Sequence, residues 1–105
     1  MLGFKKELNL IIYEIIWKQK FVDKLLSKHR VTIEEAEEAL GGKPVIRKVG
    51  RGHVRGEDVY AAYSQVDNGR YLIVFFIYKD GNRALPISAR DMDTAERRYY
   101  ERQRP

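Results

Sequence analysis

The apolar run Tyr71 to Tyr78 lies between two turn dipeptides, Asn68-Gly69 and Asp80-Gly81. A strand this apolar is covered on both faces, and each flanking dipeptide is a hairpin signal. Asn68-Gly69 has the residue types of a type I′ turn, in which both central residues take positive φ. The run is therefore the middle strand of an antiparallel meander. Val59 to Val66 precedes it, and a strand through Ser88-Ala89-Arg90 follows it. In that last strand Leu85, Ile87 and Ala89 are expected on one face, with Ser88 and Arg90 on the other. Pro86 has no amide hydrogen, so the strand is expected at an edge or bulged. Pro44 to Val49 supplies a further strand.

Helices surround the meander. Leu10 to Trp17 is rich in β-branched and aromatic residues and reads as a strand in its second half, although its apolar spacing also suits a helix. Gln19 to His29 reads as a helix with Phe21, Val22, Leu25 and Leu26 on its apolar stripe. Thr32 and Glu35 form a capping box that starts a second helix. Ile33, Ala36 and Leu40 face inward, and Gly41-Gly42 is expected to stop the helix in left-handed geometry. Asp93 and Glu96 repeat the capping pattern before a last helix that reaches about Arg102, with Ala95 and Tyr99 packing down. Together these elements predict an α+β domain. It has a twisted antiparallel sheet, two helices packed on one face and a C-terminal helix beside the edge strand.

A chain of 105 residues buries one core. Residues 1–105 are read as a single domain in which 1–9 form an N-terminal extension. There are no cysteines, so disulfides and thiolate metal sites are excluded. The two histidines, His29 and His53, are far apart in sequence, so a zinc centre is not expected, while carboxylate binding of magnesium stays open; the site is read as metal-free and no cofactor is expected. The apolar stretch Leu8 to Trp17 is interrupted by Asn9 and Glu14 and is too short to span a bilayer. With no secretory signal, a cytoplasmic location is expected. P-loop, serine-elbow and H-E-x-x-H motifs are absent. The net charge of +5 favours polyanions, or else marks a merely soluble basic surface.

Several groups of residues carry potential chemistry. Arg83, Arg90, Arg97, Arg98 and Arg102 offer forked, permanently charged donors that match phosphate oxygens. The same residues could instead form a solvated face paired with Asp91, Glu96 and Glu101. Lys28-His29 lies at a helix C-terminus, where the dipole favours a protonated imidazole; it either handles protons or caps the helix. The glycine-rich loop from Arg47-Lys48 to Arg55 could wrap RNA or act as a linker. Among the tyrosines, Tyr100 is expected to face a ligand while Tyr99 packs. The acidic block Glu34, Glu35, Glu37, Glu38 would repel nucleic acid, which places the binding face elsewhere.

The order of these pieces resembles the BrnT family of bacterial toxins, within the broader RelE-like ribonuclease fold. The resemblance rests on Trp17, on Lys28-His29-x-Val31-Thr32-Ile33-Glu34-Glu35-Ala36, on Gly69-Arg70, on Ile87-Ser88-Ala89-Arg90 and on Glu96-Arg97-Arg98-x-Tyr100. It implies a toxin of a type II toxin-antitoxin system: a metal-independent endoribonuclease that acts on mRNA and slows translation. It also implies a ribbon-helix-helix antitoxin as partner and operator DNA bound through the complex. Carried over by motif, Lys28, His29, Arg90, Arg97 and Tyr100 are catalytic candidates. Arg70, Arg83, Ser88 and Glu96 are candidates for binding substrate. The chain departs from the family pattern at Lys18, Leu25 and Arg30, where an acidic residue, an asparagine and a glycine are usual. The reading from a different class is a non-catalytic module that binds nucleic acid or a protein partner through the same basic face.

Overall fold

A computed structural model describes residues 10–52 and 56–104. The N-terminal extension and His53 to Arg55 of the glycine-rich loop therefore lie outside the described residues. The elements run β1 (Glu14–Ile15), α1 (Gln19–His29), α2 (Ile33–Gly41), β2 (Val45–Gly50), β3 (Val59–Gln65), β4 (Tyr71–Lys79), β5 (Arg83–Asp91) and α3 (Thr94–Gln103).

The meander is present as expected. β2, β3, β4 and β5 pair antiparallel in sequence order, with β4 inside. The expectation of a purely antiparallel sheet is corrected by β1, which pairs parallel with β5 through Glu14–Arg83 and Ile15–Ala84. The architecture is thus α+β, with a mixed five-stranded sheet in the order β1-β5-β4-β3-β2 and three helices. β1 covers only the start of β5, so the rest of that strand's outer side has no ladder partner among the described residues.

Pro86 sits where its missing amide is tolerated. Phe75 pairs with Ser88 and Phe76 with Pro86, so β5 bulges by one residue at Ile87. The bulge corrects the expected alternation. Ala84 and Ala89 face one core, whereas Leu85 pairs with Ile77 on the opposite face. Ser88 and Arg90, beyond the bulge, share a face as expected.

Two apolar clusters flank the sheet, one on each face, where a chain of this length is expected to bury a single core. On one face Ala62, Leu72, Val74, Phe76, Ala84 and Ala89 meet Leu25, Val31, Ala36, Ala39 and Leu40 of the α1–α2 unit. Phe76, Leu25 and Leu72 are fully buried there, each worth about 1.5–3 kcal/mol in apolar burial. On the other face Ala61, Tyr63 and Ile73 pack with Val45, Met92 and Tyr100. The C-terminal helix therefore covers the second face over β3, and not the flank of an edge strand.

Both capping boxes form. Thr32 accepts from the Glu35 amide at 3.0 Å, and Asp93 accepts from the Glu96 amide at 2.8 Å. α2 does end at Gly41-Gly42, but Gly42 has negative φ (φ −82, ψ −132) and not the left-handed geometry. The left-handed cap belongs instead to α1, at Arg30 (φ 54). The β3–β4 turn also differs from a type I′ pair, because Gly69 (φ 94) alone of Asn68-Gly69 takes positive φ. The Gly69 amide donates to the Val66 carbonyl at 2.8 Å and the Val66 amide to the Arg70 carbonyl at 2.9 Å. This lengthens the connection to a three-residue loop closed by a left-handed glycine.

Candidate functional site

Strand pairing lays two rows of side chains across the face that α3 partly covers. One row is Val45, Tyr63, Ile73 and Arg90; the next is Arg47, Ala61, Phe75 and Ser88. α3 lies over the first row through Tyr100 and Tyr99. Arg47, Phe75, Ser88 and Arg90 remain half-buried and reachable from solvent.

Arg90 holds Glu96 in a fork, Nη1 to Oε1 at 2.8 Å and Nη2 to Oε2 at 2.8 Å. Its guanidinium lies 5.5 Å from the Phe75 ring centroid. Glu96 also accepts from the Asp93 amide at 2.8 Å. The Arg90 fork outweighs burial and holds the Glu96 carboxyl below its ordinary range, so Glu96 aligns Arg90 and is a weak base. Arg97, next along α3, is exposed and places its guanidinium 3.9 Å from the Tyr71 ring centroid. The Tyr71 hydroxyl donates to Glu101 at 2.6 Å. Arg97, Arg98 and Arg102 line an open groove with Thr94 and Glu101.

Arg70 behaves differently. A guanidinium has five N–H donors, and here all of them are engaged. Nε and Nη2 donate to Asp91 at 2.7 and 3.3 Å. Nη1 donates to the Arg30 carbonyl and to Glu35, both at 2.9 Å, and Nη2 donates to the His29 carbonyl at 2.9 Å. Arg70 therefore ties the end of α1, the start of α2, β4 and β5 together. It is a structural clasp with no donor left for a phosphate, which corrects its place among the substrate contacts.

The acidic block on α2 serves the same fastening. Trp17 donates its indole hydrogen to Glu37 at 3.0 Å, Asn68 donates to Glu35 at 3.0 Å, and the Asp67 amide donates to Glu38. Burial raises the Glu35 carboxyl, but hydrogen bonds from Thr32, Asn68 and Arg70 outweigh it and keep the group below its ordinary range.

The arginine set expected from the sequence is only partly assembled. Arg83 sits at the opposite end of β5 from Arg90, about 20 Å away, since the bulge leaves the two opposite Lys79 and Ile73, six residues apart on β4, at roughly 3.3 Å per residue. It donates to the Asp80 carbonyl of its own turn at 2.8 Å and does not belong with the others. Lys28 is exposed and His29 half-buried at the sheet end held by Arg70, on the α1–α2 side. Among the described residues, no contact joins either side chain to Arg90 or Arg97. The roles expected of Tyr99 and Tyr100 are reversed in exposure. Tyr100 is 6% exposed, and its hydroxyl accepts from the Gln65 amide at 3.3 Å. Tyr99 is half-buried, and Ala95 is exposed.

Sequence reasoning named Tyr63 only within the group of tyrosines expected to be mostly core, and Arg47 only as part of a loop. The Arg47 guanidinium lies 4.8 Å from the Tyr99 ring centroid, and Tyr99 lies 5.0 Å from Tyr63. Their signal was the period-two face of β2, but the partner face becomes visible only once β2 is registered against β3.

Among the described residues, no group of three or more His, Cys, Asp or Glu side chains is placed to hold a metal. No described helix is long and apolar enough to cross a membrane. A comparison with functionally curated proteins finds no match. A family model described as ribonuclease toxin, BrnT, of type II toxin-antitoxin system matches residues 17–96.

Proposed function

This chain belongs to the BrnT toxin family, and we propose from that premise that it is the toxin of a type II toxin-antitoxin system. In this reading it is a metal-independent endoribonuclease of RelE-like fold that cuts mRNA and so inhibits translation. A cognate ribbon-helix-helix antitoxin neutralises it, and the complex binds operator DNA. The observation that carries the reading is the grouping of Ser88, Arg90, Glu96 and Arg97 where β5 meets α3, on a half-exposed face floored by Phe75 and Tyr71.

The chemistry needs no resident ion. A base takes the proton from a ribose 2′-hydroxyl, and O2′ attacks the adjacent phosphorus in line. The bond from phosphorus to O5′ breaks, and O5′ takes up a proton, leaving a 2′,3′-cyclic phosphate and a 5′-hydroxyl. Charge accumulates on the phosphoryl oxygens, where fixed guanidiniums act most strongly. Arg90, aligned by Glu96, and the exposed Arg97 fill that role. Ser88 offers a hydroxyl on the same face. His29 or Lys28 handles the protons as the RNA crosses the sheet end. Tyr100 supports α3 from within the core and takes no part in the chemistry.

The pairing of Arg90 with Glu96, and the lack of contact between His29 and the arginines, favour one alternative. It is a binding module that holds nucleic acid or a partner through this face without cutting. Incubation of the purified chain with a defined RNA in EDTA separates the two. Cyclic-phosphate products support the nuclease, and intact RNA that stays bound supports the module.

A further inference from the structure

Arg47 and Arg97 both lack a carboxylate partner among the described residues on this face, but Arg97 is exposed and Arg47 is half-buried. Among the described residues Arg47 has no carboxylate within ion-pair reach, whereas Arg90 is matched to Glu96 and Arg70 to both Glu35 and Asp91. The Arg47 Nε is buried and has no hydrogen-bond partner. A buried donor without a partner is destabilising, so a position that retains one calls for an explanation. Stacking against Tyr99 at 4.8 Å fixes the plane of the guanidinium but leaves that Nε hydrogen unsatisfied.

The surroundings favour an anion. Arg47 and Arg90 stand on β2 and β5, at opposite ends of two adjacent side-chain rows that run across β3 and β4. Between them lie the half-exposed Phe75 ring and the Tyr63 side chain. Tyr63 is 5% exposed; burial raises its hydroxyl above the ordinary range, while the charges of Arg47 and Arg90 and a hydrogen bond with the Arg47 side chain pull it the other way and Glu96 adds to the rise. The hydroxyl stays a protonated donor at neutral pH. Arg90 spends Nη1 and one Nη2 hydrogen on its fork and on the Asp91 carbonyl, which leaves its Nε hydrogen and the second Nη2 hydrogen.

We propose that Arg47, together with the Tyr63 hydroxyl and the spare donors of Arg90, forms a binding site for one internucleotide phosphodiester on the open sheet face. That the ligand is RNA rests on the ribonuclease reading; that the site takes a phosphate anion does not. The site places the strand across the meander, from β2 toward β5, and it adds Arg47 as a phosphate-binding residue that motif comparison did not supply.

The test uses the full chain in EDTA and a short single-stranded RNA with 2′-O-methyl at every ribose, which binds but cannot be cut. Affinity is read by fluorescence anisotropy from about 50 to 300 mM salt. Arg47→Met keeps the apolar stem over Tyr99 and removes the charge. The expected result is a loss of roughly tenfold in affinity, with the salt slope lowered by about 0.7, the value of one phosphate contact on a single strand. Arg47→Lys restores the slope and only part of the affinity, because a lysine cannot fork. Tyr63→Phe weakens binding by a smaller factor without changing the slope. Affinity and slope equal to wild type in Arg47→Met overturn the site, as does a wild-type chain that fails to bind the probe.

Should Arg47→Met fail to fold, titration of the wild-type chain with inorganic phosphate decides the matter. Movement of the Arg47 Nε–H resonance supports the site, and a static resonance overturns it. If the wild type binds through Arg47 yet leaves unmodified RNA intact, the phosphate site stands and the nuclease reading falls. If RNA is cut equally well by wild type and Arg47→Met, and both bind the probe equally, the nuclease reading stands and the site falls.

Discussion

Arg70 grips Asp91 in a fork, Nε to Oδ1 at 2.7 Å and Nη2 to Oδ2 at 3.3 Å, and its remaining hydrogens reach Glu35 and the carbonyls of His29 and Arg30. Lysine cannot reproduce that geometry, since it has three donors on one point charge. Arg70→Lys is expected to destabilise the chain by about 2–4 kcal/mol through stranded acceptors. Urea unfolding will show this as a lower midpoint with an unchanged m-value. Any loss of cleavage should follow the unfolded fraction. A midpoint equal to wild type would contradict the role of Arg70 as a clasp.

The same residue shows where the sequence is legible. Gly69-Arg70 before an apolar strand reads well as a local pattern, and so do both capping boxes and the placing of β4 between two hairpins. These features are set by residues within a few positions of one another. What Arg70 touches lies 21 to 41 positions away in sequence, and nothing local separates a clasp from a phosphate contact. Pro86 announced the bulge locally, but its place at Ile87, which moves Leu85 to the other face, and the parallel pairing of β1 depend on partners distant in sequence. Arg90 was legible as a site candidate, whereas Arg47 needed the register of two strands joined by a glycine-rich loop. Tyr99 and Tyr100 are neighbours in sequence, and only the seating of α3 decides which one is buried.

Arg30 caps α1 with φ 54, a conformation that costs a residue with a Cβ about 1–2 kcal/mol and glycine far less. Its carbonyl accepts from Arg70, a contact any residue retains. Arg30→Gly is therefore expected to stabilise the chain by about 1 kcal/mol. For a domain of this size that raises the thermal midpoint by roughly 4–8 °C. Differential scanning calorimetry reads it directly, and a lowered midpoint would mean that the side chain matters more than the backbone.

Glu35 and Glu96 both have folded carboxyl groups held below the ordinary range. In the unfolded chain they take up protons near the usual glutamate value of about 4.3. Between that value and the lower folded ones the unfolded state binds more protons, so stability rises with pH. Their contribution is complete above about pH 5 and is lost as pH falls through the folded values. Urea midpoints measured from pH 7 to 3 should drop steeply at the acid end in wild type and more gently in Glu96→Gln. Identical slopes for the two chains would rule out this source of acid sensitivity.

Tyr100 fills the second core, and its hydroxyl accepts a long bond from the Gln65 amide and meets the exposed Arg104 side chain. Tyr100→Phe should cost about 0.5–1.5 kcal/mol and leave cleavage within about twofold. Tyr100→Ala should cost about 3–5 kcal/mol through the cavity it opens. A folded Tyr100→Phe chain that has lost cleavage would return the hydroxyl to the chemistry, despite its burial.

The arginines themselves provide the sharpest separation. Arg83 lies at the far end of β5, so Arg83→Ala should leave cleavage of a defined RNA within about twofold. Arg97 is exposed and held by Tyr71, a contact worth about 0.5–1 kcal/mol. Arg97→Ala should keep the fold yet slow cleavage by about 100-fold, the usual cost of losing one preorganised donor to a developing anion. Arg90→Ala confounds the two effects, because it strands the Glu96 carboxylate. The double variant Arg90→Ala/Glu96→Gln removes that carboxylate charge and should recover most of the lost stability without recovering any cleavage. If cleavage returned along with stability, Arg90 would be a partner for Glu96 and nothing more, and the phosphoryl charge would have to be met by Arg97 and other cations of the same face.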